Sequence, residues 1–279
     1  MSIARTIKCM SMALAVAAPA ALAQAVPALA CLEGSPSVVV EHSRAIVLRM
    51  ETMGGLATLP ALLLRVPTFT LYEDGLAIFR PSNAPLMRVE LDREHTARLI
   101  EFALQEGGLA DAHPEYVSGG IADATTTVFT LAADGLEKRV SVHALGNQVR
   151  GPDRAAYEAF GRLAAILAEF GSWLPDDARI EPYVPEAYLG IFAEEDPQRP
   201  DLTDWPWDDL EPADLVPFEE APFFRTVVLT PDQVAEIALS PVGEDTVAYV
   251  AGSDGDAYRV MIKPLLPGER PPPEVGDQA

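Results

Sequence analysis

The sequence predicts an α+β fold in which antiparallel β-hairpins pack with three helices. Three observations carry that reading. β-branched and aromatic runs flank the dipeptides Asp74-Gly75, Asp134-Gly135 and Asp254-Gly255, and Gly accepts the positive φ that a tight hairpin turn requires. Between them lie segments whose apolar residues recur at helical spacing, each with a recognisable start signal. Finally, 49% of the 279 residues are hydrophobic, enough for a sizeable core, and 25 Pro with 19 Gly are too few for a low-complexity chain.

The chain opens with an export signal. Arg5 and Lys8 form a short positive region, Met10 to Ala23 is apolar, and Ala21-Leu22-Ala23 offers small residues at −3 and −1 before Gln24. That arrangement marks residues 1–23 as a secretory signal peptide cleaved between Ala23 and Gln24. The run falls short of the about 20 apolar residues of a membrane span and holds Pro19, which argues against an anchor. An alternative places the leader at 1–30. Ala28-Leu29-Ala30 precedes Cys31, and a cysteine at a mature N-terminus is what a lipoprotein signal leaves for lipidation. Lipid on Cys31 would be the chain's one route to a membrane.

A first α+β unit spans 24–175. Ala45 to Thr52 reads as a strand ended by Gly54-Gly55, and Thr68–Tyr72 with Leu76–Phe79 as a hairpin. Asp92 is placed to cap a helix, since its carboxylate can accept a free backbone N–H. Thr96, Leu99, Ile100, Ala103 and Leu104 line that helix and Gly107-Gly108 stops it. Thr125–Ala132 and Lys138–Leu145 form a second hairpin. Pro152 then opens the clearest amphipathic helix, with Ala156, Phe160, Leu163, Ala164, Leu167 and Phe170 on one face and Trp173 and Pro175 closing it.

Residues 176–225 read as an acidic connection rich in Pro and Trp. Asp176 to Glu220 holds 15 acids against Arg179 and Arg199, with seven prolines. Tyr183 to Ala193 suits a strand that Pro185 keeps near a sheet edge. A smaller β-α-β-β unit follows over 226–270. Thr230-Pro231-Asp232-Gln233 is a capping-box start, and Thr246–Ala251 with Tyr258–Ile262 closes a hairpin. Val89-Glu90-Leu91-Asp92 and Val227-Val228-Leu229-Thr230 each open a helix that a hairpin follows, and Arg139-Val140-Ser141-Val142 matches Arg259-Val260-Met261-Ile262. The order therefore also reads as two tandem β-α-β-β units. Residues 271–279 read as a frayed tail.

Charge and motifs narrow the function. The formal charge is −22, and losing Arg5 and Lys8 with the leader takes it to −24. Such a chain is ill suited to nucleic acid, whose phosphates call for clustered Lys and Arg. Two cysteines exclude a disulfide scaffold or a four-cysteine zinc site. The G-x-S-x-G elbow, H-E-x-x-H, G-x-x-x-x-G-K-[ST] and G-x-G-x-x-G are absent, so the common serine-hydrolase, zinc-protease and nucleotide signatures are missing and no cofactor is implied. His95 falls in a helix first turn, His113 beside Pro114, and His143 on the strand face opposite Val140 and Val142. The leading expectation is an exported, non-catalytic protein for binding or cell-envelope interaction, secreted or periplasmic. Its candidate contact surface is Trp205 and Trp207 ringed by Asp204, Asp208 and Asp209, because aromatic anchors in a polar rim build interfaces. Two alternatives stand beside it: a hydrolase using paired carboxylates and a calcium-stabilised structural module.

Phe69-Thr70-Leu71-Tyr72-x-Asp74-Gly75, Thr126-Thr127-Val128-Phe129, Val140-Ser141-Val142 and Pro264-Leu265-Leu266-Pro267-Gly268-Glu269 resemble a group of uncharacterised exported bacterial proteins, some of them lipoproteins. A Gly often precedes the Asp-Gly turn there, where this chain has Glu73. The resemblance implies export and an α+β architecture and brings no catalytic residues.

Overall fold

A computed structural model describes residues 44–269 apart from 83, 119, 120, 134, 148, 150, 219, 220, 243 and 244. The expected leader, its processing residues Ala23, Gln24 and Cys31, and the tail from 271 lie outside the described residues. The chain is α+β, with strands dominant.

The elements run β1 (Ile46–Gly54), α1 (Leu59–Leu63), β2 (Phe69–Tyr72), β3 (Leu76–Phe79), β4 (Met87–Glu90), α2 (Arg93–Leu104), β5 (Glu115–Tyr116), β6 (Thr125–Ala133) and β7 (Leu136–His143). There follow α3 (Arg154–Ala168), α4 (Phe170–Trp173), β8 (Glu181–Pro182), β9 (Tyr188–Glu195), β10 (Thr203–Asp204), β11 (Val216–Phe218), β12 (Ala221–Leu229), α5 (Pro231–Ala235), β13 (Ser240–Val242), β14 (Asp245–Ala251) and β15 (Ala257–Pro264). The first sheet has eight strands in the order β5-β7-β6-β1-β2-β3-β4-β8. The second has seven, β10-β14-β15-β9-β12-β11, with β13 against β14.

Local chemistry accounts for the element starts. Asp92 accepts from the backbone N–H of His95 at 2.8 Å, the N-cap bond that relieves an orphan donor of α2. Thr230 and Gln233 make the reciprocal capping box of α5. Helical structure is divided more finely than the sequence suggests. The long amphipathic stretch breaks at Glu169 (φ −110°, ψ 41°) into α3 and α4. The short α1, with its early proline, is an added element.

Alternation along the strands separates four apolar clusters. Leu48, Met50, Phe69, Leu71 and Phe79 face α2, α3 and α4 with Leu99, Phe160, Leu163 and Phe170, where Phe170 sets its ring edge-on to Phe69 at 4.7 Å and to Phe79 at 5.3 Å. The next residues along, Tyr72 and Ile78, turn to the opposite face and meet Leu266. In the second sheet, Leu189, Ile191, Val247 and Met261 join Leu59, Leu63 and Leu64, while Phe192, Val250, Tyr258 and Val260 pack on Trp207, Leu210 and Ile237. The consecutive residues Leu265 and Leu266 enter different clusters. The segment just after β15 thereby straps the second sheet to the first.

Two readings change. The acidic stretch 176–225 is not a mere connection, because it supplies β9. That strand pairs with β12 from Phe224↔Ala193 to Leu229↔Tyr188 and with β15 from Ala257↔Glu195 to Pro264↔Tyr188. Pro185 precedes β9, so its missing N–H costs the ladder nothing, and the strand sits inside the sheet instead of at its edge. The two strand–helix–hairpin orders also differ in topology. In the first sheet the leading hairpin strand, β6, returns to β1; in the second the trailing one, β15, returns to β9.

Candidate functional site

The tryptophan surface expected from the sequence turns inward. Trp207 is only 3% exposed and Trp205 is half-buried. The indoles meet edge-on at 4.9 Å, and both pack on Phe192, at 6.0 and 5.9 Å. Each buried N–H finds a carbonyl: Trp205 donates to Leu210 O at 2.5 Å and Trp207 to Gln233 O at 2.9 Å. The reason is geometric. Residues two apart in an extended chain point to the same side, and here that side is the core of the second sheet. Asp204, Asp208 and Asp209 are exposed around this plug, and Asp209 accepts from Gln233 Nε2 at 3.1 Å. They rim a buried cluster, not an available aromatic anchor.

The acids do not gather. Among the described residues, no group of three or more His, Cys, Asp or Glu is placed to hold a metal ion. Asp92 lies below the ordinary carboxylate range because it accepts from the His95 backbone N–H and ring. Asp201 is lowered by the hydrogen bond from Arg199. Both shifts favour the ionised form, the reverse of what a general acid needs. His95 Nδ1 lies 2.8 Å from Asp92 Oδ1 at an exposed helix start. His143 Nδ1 is buried without a hydrogen-bond partner.

A different feature has the form of a site. A groove of about 450 Å³ is lined by Thr58, Pro60, Phe224, Val247, Tyr249, Arg259 and Met261. Strand register builds its floor. Val247 lies opposite Met261 and Tyr249 opposite Arg259 on β14 and β15. Phe224 reaches the same face from β12, across Ala193 of β9, which in turn pairs with Arg259. The start of α1 forms the remaining wall through Thr58 and Pro60. Phe224, Val247 and Met261 are buried, so the groove has a firm apolar base.

Arginine chemistry distinguishes this groove. Arg199 stacks on the Tyr249 ring at 3.6 Å and is engaged with Asp201 at 2.9 Å and Glu195 at 3.8 Å. Arg259 buries its Nε without a hydrogen-bond partner, and among the described residues it forms no ion pair. Its counterpart in the sequence match, Arg139, is engaged instead, 3.5 Å from Glu51. The site leaves no signature in the sequence because β15 reads as a mostly apolar strand, with Tyr258, Val260 and Ile262 on one side and Ala257 and Met261 on the other, and nothing local sets Arg259 apart from Lys263 on that same side.

Comparison with protein-family models, curated proteins and solved structures finds no match to this chain. Among the described residues no helix is long and apolar enough to cross a membrane.

Proposed function

We propose that this is an exported, non-catalytic binding protein that works outside the cytoplasmic membrane and holds its ligand in the groove between α1 and the second sheet. The observation that carries the reading is the groove itself: a concave site with an apolar base, a mixed polar and apolar lining and one cation, the convergence of apolar surface and a few polar groups that small-molecule pockets use. Its volume falls within the roughly 300–1,000 Å³ of such pockets. Export rests on the leader ending at Ala23, with release at Gln24 or lipid attachment at Cys31 as its two outcomes. With the indoles of Trp205 and Trp207 packed inward, the groove takes their place as the contact surface.

The test uses a neutral apolar dye, N-phenyl-1-naphthylamine, with the full mature chain. Saturable enhancement of its fluorescence is expected, and Thr58→Trp should abolish it by filling the groove from an exposed position. Thr58 makes no side-chain capping bond, so that variant keeps α1 intact. Equal enhancement in wild type and variant would place the dye elsewhere and remove the proposal. Mass spectrometry of the mature N-terminus separates Gln24 from lipidated Cys31, and retention of residues 1–23 would overturn export by this signal.

A further inference from the structure

We infer that the groove selects a small carboxylic acid with an apolar or aromatic body, its carboxylate held by Arg259. This rests on the groove being a binding site and adds the chemical class of what enters it.

The lining divides into two kinds of surface. Pro60, Phe224, Val247 and Met261, with the ring of Tyr249, offer apolar contact, and no lining residue is acidic. Arg259 is the single formal charge among them. Its Nε is a donor removed from water and left without an acceptor. That Nε is closed to a ligand as it is to water, and it is the two terminal nitrogens, outside the buried set and without an acceptor among the described residues, that a ligand meets. Charge makes the point sharper. The chain has 42 acids to 20 Lys and Arg, and Arg199, packed on the same Tyr249 ring, holds two of those acids. Arg259 holds none among the described residues.

The guanidinium then selects the headgroup. Its planar fork matches a carboxylate through two parallel N–H···O bonds, a match that neither an alcohol nor an amine can make. A phosphate dianion would bring a second negative charge, which the groove's one cation would leave uncompensated. A carboxylate monoanion balances it. The apolar wall sets the rest: a ligand body without charge, packed on Phe224, Val247 and Met261. The Arg199–Asp201 pair closes the Tyr249 side, so a cationic group gains nothing by entering there.

The experiment compares octanoate, 1-octanol and octylamine by calorimetry on the full mature chain, below micellar concentration, with methyl NMR shifts at Val247 and Met261 locating the site. Octanoate is expected to bind at least tenfold more tightly than octanol, with octylamine weaker still. Arg259→Met should bring octanoate down to octanol, and Arg259→Lys should restore part of the difference. Equal affinity of octanoate and octanol for the wild-type chain would overturn the carboxylate inference while leaving the groove as a binding site. Failure of all three to shift Val247 or Met261 would overturn both. The wild-type comparison is decisive even where an Arg259 variant folds poorly.

Discussion

Arg49, in the middle of β1, meets Glu269, the last described residue of the strap, at 3.5 Å, with each side chain only 15% exposed. Glu269 uses its other oxygen to accept from the Leu266 backbone N–H at 3.1 Å. One carboxylate therefore closes the turn after β15 and ties it to the first sheet beside Leu266. Because the pair is largely removed from solvent, breaking it from one side leaves a charge without its partner. Glu269→Ala is expected to lower stability by about 2–4 kcal/mol, near the range for buried pairs that lose one member. Urea unfolding measures it. Arg49→Met in the same background should recover part of the loss, since no orphan cation then remains. A Glu269→Ala change below about 0.5 kcal/mol would mean that the strap is held without this pair, by the packing of Leu265 and Leu266 and by the hydrogen bond from the Tyr183 hydroxyl to Leu265 O at 3.0 Å.

The same cluster makes an alkaline prediction. Tyr72 is fully buried, and burial pushes its phenol from 10.0 up to about 12, with Arg49 beside it pulling the other way. Unfolding frees the group to ionise near its ordinary value. Its contribution to stability is thus complete below about pH 10 and is lost as pH rises toward 12. Tyr72→Phe should flatten that part of the pH–stability curve. At pH 7 the variant should match the wild type within about 0.5 kcal/mol, because the Tyr72 hydroxyl has no hydrogen-bond partner to lose. Tyr183 and Tyr258 are also raised by burial, so the variant removes one share of the alkaline loss and leaves the rest.

Identical turn dipeptides need not cost the same to alter. Gly75, Gly135 and Gly255 all adopt left-handed φ, at 87°, 77° and 89°. A Cβ at Gly135 or Gly255 meets open space, whereas at Gly75 it collides with the backbone carbonyl of Leu91. That carbonyl cannot step aside freely, because Leu91 N–H is itself bonded to Gly75 O at 2.9 Å and the next residue is the α2 cap. Gly135→Ala and Gly255→Ala should each cost about 1 kcal/mol, the penalty of the conformation alone. Gly75→Ala should cost about 3 kcal/mol or more as strain and clash add. Thermal melts of the three variants decide it, and equal shifts would rule out the docking of this turn on α2.

Local chemistry was legible in the sequence and long-range pairing was not. The Asp-Gly hairpins and the caps at Asp92 and Thr230 are short-range devices, set within four or five residues, and they stand where their residues indicate. Pro185 nearby points β9 toward an edge, but a proline ahead of a strand removes no ladder bond. Its interior position depends on β12 and β15, both far along the chain. The groove was hidden for a related reason. Arg259 meets Tyr249 through register, and Thr58 and Pro60 through the packing of α1, and neither relation leaves a trace in local spacing. Trp205 and Trp207 are visible as a pair, but the acids flanking them, Asp204, Asp208 and Asp209, suggest a surface. Alternation settles the matter in favour of the core, with Asp208 and Asp209 left outside.

That inward packing of Trp207 is open to direct measurement. Its ring fills space against Phe192 in a cluster with Leu210 and Val250, and its N–H reaches the Gln233 carbonyl in α5. Trp207→Ala is expected to cost about 3–5 kcal/mol, as large aromatic deletions do. Trp207→Phe should cost about 1–2 kcal/mol, since it keeps most of the packing but strands the Gln233 acceptor. Neutralising the exposed neighbour by Asp208→Asn should stay within about 0.5 kcal/mol. Acrylamide quenching gives an independent reading: in a Trp173→Phe, Trp205→Phe background the remaining indole should resist the quencher until the protein unfolds. Ready quenching in the folded state would instead restore Trp207 as a surface contact and reverse its assignment to the core.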